Sequence, residues 1–92
     1  KGDHLVGKYY VAFDVELKFT EKTGKLIKDK IWIENQEITE KDDAIFMKIK
    51  VKLSYEFIAW VMGWGKEVEV IKPKELKKEI TQRAKDIISL YK

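Results

Sequence analysis

Two stretches of the chain alternate between apolar and polar residues, the pattern of a strand with one buried and one solvent-facing side. In residues 11–20 the apolar positions are Val11, Phe13, Val15, Leu17 and Phe19. In residues 45–53 they are Ile45, Met47, Ile49, Val51 and Leu53. We therefore predict two long strands whose odd-numbered side chains face a common core.

A first helix is predicted between these two strands, over residues 21–34. Thr20 is a suitable N-cap, because its hydroxyl can accept a hydrogen bond from the first helical turn. The spacing places three residues on the side that faces the core: Gly24, Ile27 and Ile31. Glycine inside a helix costs about 1 kcal/mol relative to alanine, so a hairpin that turns at residues 23–24 is the alternative. We favour the helix.

Two further helices are predicted after the second long strand. Ser54 can cap a short helix that ends at Gly63 or Gly65. The apolar side of this helix is Phe57, Ile58, Val61 and Met62. Pro73 occupies a position that helices favour for their first residue. A last helix then runs to the C-terminus, with one apolar face that repeats every three or four residues: Leu76, Ile80, Ala84, Ile87 and Tyr91.

Two shorter strands complete the predicted elements. Residues 36–41 form one of them, around Ile38, and residues 67–71 form the other, with Val68 and Val70 facing inward. A turn is expected at residues 41–43, since aspartate tolerates tight backbone geometry. The resulting order predicts an α+β domain of ferredoxin-like βαββαβ topology, with an antiparallel sheet, both helices on one face and an additional C-terminal helix.

The length and composition of the chain limit its organisation. Ninety-two residues suffice for one domain, which we place at 11–92. Residues 1–10 contain Gly2 and Gly7 and are interpreted as a linker from an upstream region. No run approaches the roughly 18 apolar residues of a membrane-spanning helix, and no signal peptide is recognisable. We therefore expect a cytoplasmic protein without a membrane partner.

Charge and cysteine content exclude several classes of function. The chain has no cysteine, which excludes disulfides, thiolate catalysis and cysteine-bound zinc. Arg83 is the single arginine among nineteen basic residues, and the net charge is +3. Because arginine is the residue that most often binds phosphates and recognises bases, this composition is not that of a dedicated sequence-specific DNA-binding protein. The abundance of lysine, glutamate and isoleucine is typical of proteins from heat-loving organisms.

Candidate catalytic residues are scarce. His4 is the only histidine, and Ser54 and Ser89 are expected to be a helix cap and a surface residue. No nucleophile, base and acid can be grouped from these positions. An acylphosphatase-like enzyme would need a phosphate loop near Arg83 or Asn35, and none is recognisable. We therefore predict a protein that is not an enzyme and that uses no metal and no cofactor.

The basic residues Lys48, Lys50 and Lys52 form a comb on one face of the second long strand. A strand running parallel beside it is expected to present Asp14 and Glu16. We favour a salt-bridged, solvated surface, with a phosphate-binding track or a metal site as the alternatives. Separately, Arg83 is the only guanidinium that could bind an anion on the last helix.

Four aromatic residues are candidates for an interface. Tyr10 and Phe46 would lie side by side if the two long strands ran parallel, forming with Ala12 an apolar patch for another domain or subunit. A loop over residues 1–9 that covers this patch is an equal alternative. Trp60 and Trp64 lie one turn apart, and we favour a core position for them over contact with a partner.

The last third of the chain resembles the C-terminal extension, or WCX domain, of WYL-domain transcription regulators. The resemblance is most specific over residues 57–91, at Gly65, Val68, Val70, Pro73, Leu76 and Tyr91. It extends to the first strand and to Gln36, which precedes the central hairpin. The turn at residues 41–43 departs from the family pattern, in which a glycine follows the aspartate.

This resemblance implies a ferredoxin-like regulatory module at the C-terminal end of a bacterial or archaeal transcription regulator. Its partners would be an upstream WYL domain and helix-turn-helix of the same regulator, and a second copy in a homodimer. The effector sensed would be a nucleotide or single-stranded DNA. The alternative function is a stand-alone single-stranded nucleic-acid-binding domain of the same fold, which would use Tyr10, Phe46 and the lysine comb.

Overall fold

The computed structural model describes residues 11–92, so the predicted linker at 1–10 lies outside the described residues. Seven helices and strands follow one another in the predicted order. They are β1 (Ala12–Thr20), α1 (Glu21–Ile27), β2 (Glu37–Lys41), β3 (Ala44–Lys52), α2 (Tyr55–Gly63), β4 (Val68–Lys72) and α3 (Lys74–Leu90). A short 3-10 turn at Gly65–Glu67 joins α2 to β4. The α+β class is therefore confirmed.

The four strands form one antiparallel sheet in the order β2-β3-β1-β4, which confirms the ferredoxin-like arrangement. Our expectation that the two long strands run parallel was wrong, because β1 and β3 pair antiparallel. The crossover through α1 makes β2 run in the same direction as β1. The turn after β2 reverses the chain, so β3 runs antiparallel to both. Asp42 and Asp43 make this turn with φ angles of 53° and 61°, a conformation that aspartate adopts more readily than most residues.

Alternation along β1 and β3 builds the core as predicted. Six side chains on the inner face of the sheet are buried: Val15, Leu17, Phe19, Ile45, Met47 and Ile49. Phe57, Ile58 and Val61 of α2 and Leu76 of α3 pack against them. Val11 was expected on the same face but is exposed, because β1 begins one residue later, at Ala12.

The first helix is shorter than predicted and ends at Ile27. Thr20 caps it as expected, accepting a hydrogen bond from the Thr23 N–H at 3.4 Å. Beyond the helix end, the Trp32 indole donates to the Ile27 carbonyl at 2.8 Å, which joins the following loop to the helix. Ile31 was predicted to face the core, but it lies in this loop and is 80% exposed.

Gln36 organises the same loop through three backbone contacts. Its side-chain oxygen accepts from the N–H groups of Trp32 and Ile33, at 2.8 and 3.1 Å. Its side-chain nitrogen donates to the Lys30 carbonyl at 2.8 Å. One amide thus satisfies three backbone groups of the loop that follows the helix.

The other two helices begin and end close to their predicted positions. The Ser54 hydroxyl accepts from the Phe57 N–H at 3.0 Å, and α2 ends at Gly63. Pro73 precedes α3 as its N-cap instead of forming its first residue. The predicted apolar face of α3 is buried at Leu76 but exposed at Ile87 and Tyr91. Among residues 11–92, no helix is both long and apolar enough to span a membrane.

Candidate functional site

The face of the sheet that carries no helix holds the predicted lysine comb. The strand register aligns four charged residues across the whole sheet, in the order Glu37, Lys48, Glu16 and Lys72. Their signs alternate, so Lys48 lies between two carboxylates on neighbouring strands. The sequence predicted Glu16 beside this lysine strand but did not place Glu37 or Lys72 there.

Lys50 and Lys52 continue this face toward the end of β3. Asp14 lies opposite Lys50, and Ala12 lies opposite Lys52. An open depression of about 390 Å³ includes Asp14, Lys50 and Glu37 among its lining residues. The lysine comb therefore shares its surface with acidic side chains, which reduces the attraction of this face for a polyanion.

Ion pairs between described residues lie away from this face. Lys28 pairs with Glu40 at 2.6 Å, and the Arg83 Nε lies 3.8 Å from Glu79 Oε1. The Glu40 carboxylate raises the pKa of Lys28, chiefly through their hydrogen bond. Lys48 and Lys50 face their carboxylates as neighbours in the sheet register, and no ion pair of this kind joins them within residues 11–92.

Arg83 is separated from the lysine comb. Its guanidinium carbon lies 5.0 Å from the ring centroid of Tyr55, the first residue of α2. Glu79, one helical turn earlier on α3, lies beside the same guanidinium. Because α2 covers the inner face of the sheet and the lysines project from the outer face, the four predicted binding residues do not form one site.

Phe46 is half-buried on the outer face, between Thr39 of β2 and Lys18 of β1. The Lys18 Nζ lies 6.0 Å from its ring centroid. The predicted pairing of Phe46 with Tyr10 required parallel strands, and the antiparallel register places Lys18 opposite Phe46 instead. Tyr10 itself lies outside the described residues.

Trp60 and Trp64 pack at one edge of the core with a third tryptophan, Trp32. The ring centroid of Trp32 lies 5.9 Å from that of Trp60 and 5.7 Å from that of Trp64. Phe19 packs edge-on against Trp64. Sequence reasoning missed Trp32 because it lies in a loop without periodicity. The Trp64 Nε1 is buried without a hydrogen-bond partner among the described residues.

A hydrogen-bonded junction ties the start of α1 to the 3-10 turn before β4. Glu67 accepts from the hydroxyls of Thr20 at 2.6 Å and Thr23 at 3.3 Å. The Thr20 hydrogen bond is the main cause that lowers the pKa of the Glu67 carboxyl. Within the part of the chain that the structure describes, no group of three or more histidine, aspartate or glutamate side chains is arranged to hold a metal ion.

The most conspicuous surface is one that the sequence analysis did not single out. The last turns of α3 expose four large apolar residues within five positions: Ile87, Ile88, Leu90 and Tyr91. Leu90 is 76% exposed and Tyr91 is 83% exposed. The sequence feature that could have identified this surface is the apolar face of the last helix, which continues beyond the residues that cover the core. We call these four residues the α3 end.

The sheet order and the helices on one face define a ferredoxin-like α+β domain with an additional C-terminal helix. A family model described as WCX domain matches residues 12–88, from the first residue of β1 into the last turns of α3. The chain therefore belongs to the WCX domain family, which confirms the resemblance and makes it a domain associated with WYL-type regulators. Among curated proteins, none matches this chain.

Proposed function

We propose that this WCX domain is a non-catalytic regulatory module of a WYL-type transcription regulator, in which it contributes to dimerisation and to effector sensing. Its partners are an upstream WYL domain and helix-turn-helix of the same regulator and a second copy of itself. The observation that carries the proposal is the exposed α3 end, together with membership of the WCX family.

Exposure of the α3 end is unfavourable for an isolated domain. Burying apolar surface contributes about 25 cal/mol per Å², and contiguous exposed apolar patches mark interaction sites. Three of the residues are part of a regular helix and Tyr91 is its C-cap, so the arrangement of the three is fixed before a partner binds, which lowers the entropic cost of association. Dimerisation through this helix would cover them.

A non-catalytic role agrees with what the hydroxyl groups do. Ser54 Oγ accepts the capping hydrogen bond of α2, and Ser89 Oγ donates to the Asp86 carbonyl at 2.6 Å. Both serines are therefore engaged in helix structure, and within residues 11–92 neither hydroxyl is hydrogen-bonded to a side-chain base that would activate it.

The dimerisation proposal is tested by light scattering on the chain during gel filtration, for the wild type and for Leu90→Asp. Leu90 is exposed, so this substitution should leave the fold intact, as checked by circular dichroism. We expect the wild type to elute as a dimer and the variant as a monomer. A monomeric wild type at every concentration would contradict the proposal.

Effector sensing would use the lysine comb, in which Lys50 faces one carboxylate in the strand register, Asp14, whereas Lys48 lies between Glu16 and Glu37. We expect weak, salt-sensitive binding of a single-stranded oligonucleotide, measured by fluorescence anisotropy at low and at physiological salt. A Lys50→Ala/Lys52→Ala double variant should lower the affinity, and Lys22→Ala, an exposed change on α1, should not. Equal effects of both variants would argue against an effector site on this face.

The alternative, a stand-alone single-stranded nucleic-acid-binding domain, rests on Phe46. This aromatic lies on the outer face beside Lys18, and a base could stack on it. Under that function, oligonucleotide binding should persist at physiological salt, and Phe46→Ala should abolish it. Under the regulatory function the weak binding at low salt depends on the lysines, so Phe46→Ala should leave its affinity unchanged.

A further inference from the structure

A groove opens between α2, β4 and α3, on the side of the sheet that carries the helices. It has a volume of about 450 Å³, and most of its lining is apolar: Val61, Met62, Val68, Val70, Ile80 and Ala84. Small-molecule sites in proteins have volumes of about 300–1,000 Å³ and largely apolar linings with a few polar groups. The size and lining of the groove therefore fit a small molecule with an apolar body.

Two charged residues contribute to the groove, Glu69 on β4 and Lys77 on α3. Glu69 lies opposite Lys18 in the strand register, and alternation along β4 directs its side chain to the outer face of the sheet. Lys77 is exposed, and no ion pair joins it to another residue within 11–92. Its apolar stem can lie along the groove while the ammonium group stays in water, so Lys77 supplies a positive charge at the mouth of the groove.

The distribution of charge around α3 leaves this lysine without an acidic neighbour on its own helix. The acidic residues of α3 are Glu75, Glu79 and Asp86. They are two, two and nine positions from Lys77, which places them about 160–180° around the helix from it. Thr81, one turn after Lys77, also lines the groove and brings a hydroxyl donor to the same side. This edge of the groove therefore favours an anionic group.

We infer that the groove binds a small aliphatic monocarboxylate, with its alkyl chain between the helices and its carboxylate at Lys77 and Thr81. A single ammonium group is a point charge that suits one carboxylate, whereas phosphate is more often held by the fork of an arginine or by several donors. The flexible side chain of Met62 can adapt to an alkyl chain.

This inference goes beyond the proposed function. The groove lies on the helix side of the sheet, whereas the lysine comb lies on the outer face. A ligand in the groove therefore leaves the proposed effector surface free, and its binding does not require a dimer.

Titration of the wild-type chain with octanoate, followed through the methyl signals in proton–carbon NMR spectra, tests the location of the site. We expect saturable shifts for Val61, Val70 and Ile80 in the groove. The α3 end is an internal control, because its exposed Ile88 and Leu90 would contact any alkyl chain that associates unspecifically. Shifts that do not saturate, or that are as large at the α3 end as in the groove, would overturn the inference.

A lysine variant tests the anionic part of the ligand. Lys77→Met keeps the apolar stem and removes the charge, so we expect the Kd of octanoate to rise about two- to fivefold, the range of an exposed ion pair. The Kd of 1-octanol, which has no charge, should not change. Lys78→Met, at the next exposed position on α3, is the matched control and should leave both Kd values unchanged. Equal effects of Lys77→Met on both ligands would overturn the carboxylate contact.

A groove-filling variant tests the apolar part. Ala84→Phe places a ring in the space that the alkyl chain would occupy, so we expect the Kd of both ligands to rise about tenfold or more. Circular dichroism checks that this variant is folded, and the Lys77→Met comparison remains decisive if it is not. Unchanged binding of octanoate by folded Ala84→Phe would overturn the groove as the site and leave the proposed dimerisation standing.

Discussion

The side chain of Asn35 binds the backbone of Lys50 as a neighbouring strand would. Its Oδ1 accepts from the Lys50 N–H at 2.9 Å, and its Nδ2 donates to the Lys50 carbonyl at 3.1 Å. Since β2 begins only at Glu37, this amide extends the pairing of β3 beyond the end of β2. It thereby occupies backbone groups that an edge would otherwise present to another chain.

We expect Asn35→Ala to lower the free energy of unfolding by about 1 kcal/mol, because two exposed hydrogen bonds are lost to water. Urea unfolding measures the change. The control is Glu34→Ala, the preceding exposed residue, for which a change within about 0.5 kcal/mol is expected. Equal losses for the two variants would show that the Asn35 contacts do not contribute.

Gly24 allows α1 to approach β3 closely. A Cβ on this residue would overlap Cγ1 of Ile45 and lie 2.6 Å from its Cβ. We expect Gly24→Ala to destabilise the fold by about 1–3 kcal/mol, although alanine favours a helix over glycine. Thermal unfolding followed by circular dichroism measures this.

Gly63 provides the matched control for that prediction. It is also helical, and a Cβ built there meets nothing within 4 Å. Gly63→Ala should therefore leave stability unchanged or raise it by up to about 1 kcal/mol. If both alanine variants raised the melting temperature, the close approach of α1 and β3 would not limit this position.

Trp32 and Trp64 differ in what their indole N–H groups bind. Trp32 donates to the Ile27 carbonyl, whereas the buried Trp64 Nε1 lacks a partner among the described residues. Both Trp→Phe changes reduce packing, but among residues 11–92 only Trp32→Phe also removes a hydrogen bond of the indole. We expect it to cost about 1 kcal/mol more than Trp64→Phe, as measured by urea unfolding. A larger loss for Trp64→Phe would mean that its N–H has a favourable contact.

Glu67 makes stability depend on pH at the acid end. Its hydrogen bond from Thr20 favours the carboxylate and lowers the pKa in the folded chain. The stabilising contribution of Glu67 is therefore complete above the pKa of a glutamate in the unfolded chain, about 4.3. It is lost as the pH falls through the lower pKa of the folded state.

We expect Glu67→Gln to reduce the loss of stability between about pH 5 and pH 2, measured as the urea midpoint at each pH. Glu56→Gln, at an exposed position on α2, serves as the control and should keep the slope of the wild type. An unchanged slope in Glu67→Gln would assign the acid sensitivity to other carboxyls.

Local patterns in the sequence were sufficient for most of the fold. Alternation in β1 and β3 identified the buried residues, and Ser54 and Gly63 marked the ends of α2. The direction of β3 relative to β1 was predicted wrongly, because alternation is the same in parallel and antiparallel strands and direction depends on the connections. The end of α1 was missed because residues 28–34 contain no glycine or proline, the residues that usually mark the end of a helix.

The candidate surfaces were less predictable for a related reason. Periodicity in α3 identified its apolar face, but it could not tell that the core covers Leu76 and leaves Tyr91 exposed. In the same way, the lysines of β3 were recognisable, whereas the position of Glu37 beside Lys48 follows from the hairpin register. Such relationships arise between elements and are absent from any single segment.

Sedimentation equilibrium of the wild-type chain over a wide range of concentrations tests the central claim, that this WCX domain dimerises. The account predicts a mass that rises with concentration to twice the 10.9 kDa of one chain. A mass that stays at 10.9 kDa at every concentration would contradict it.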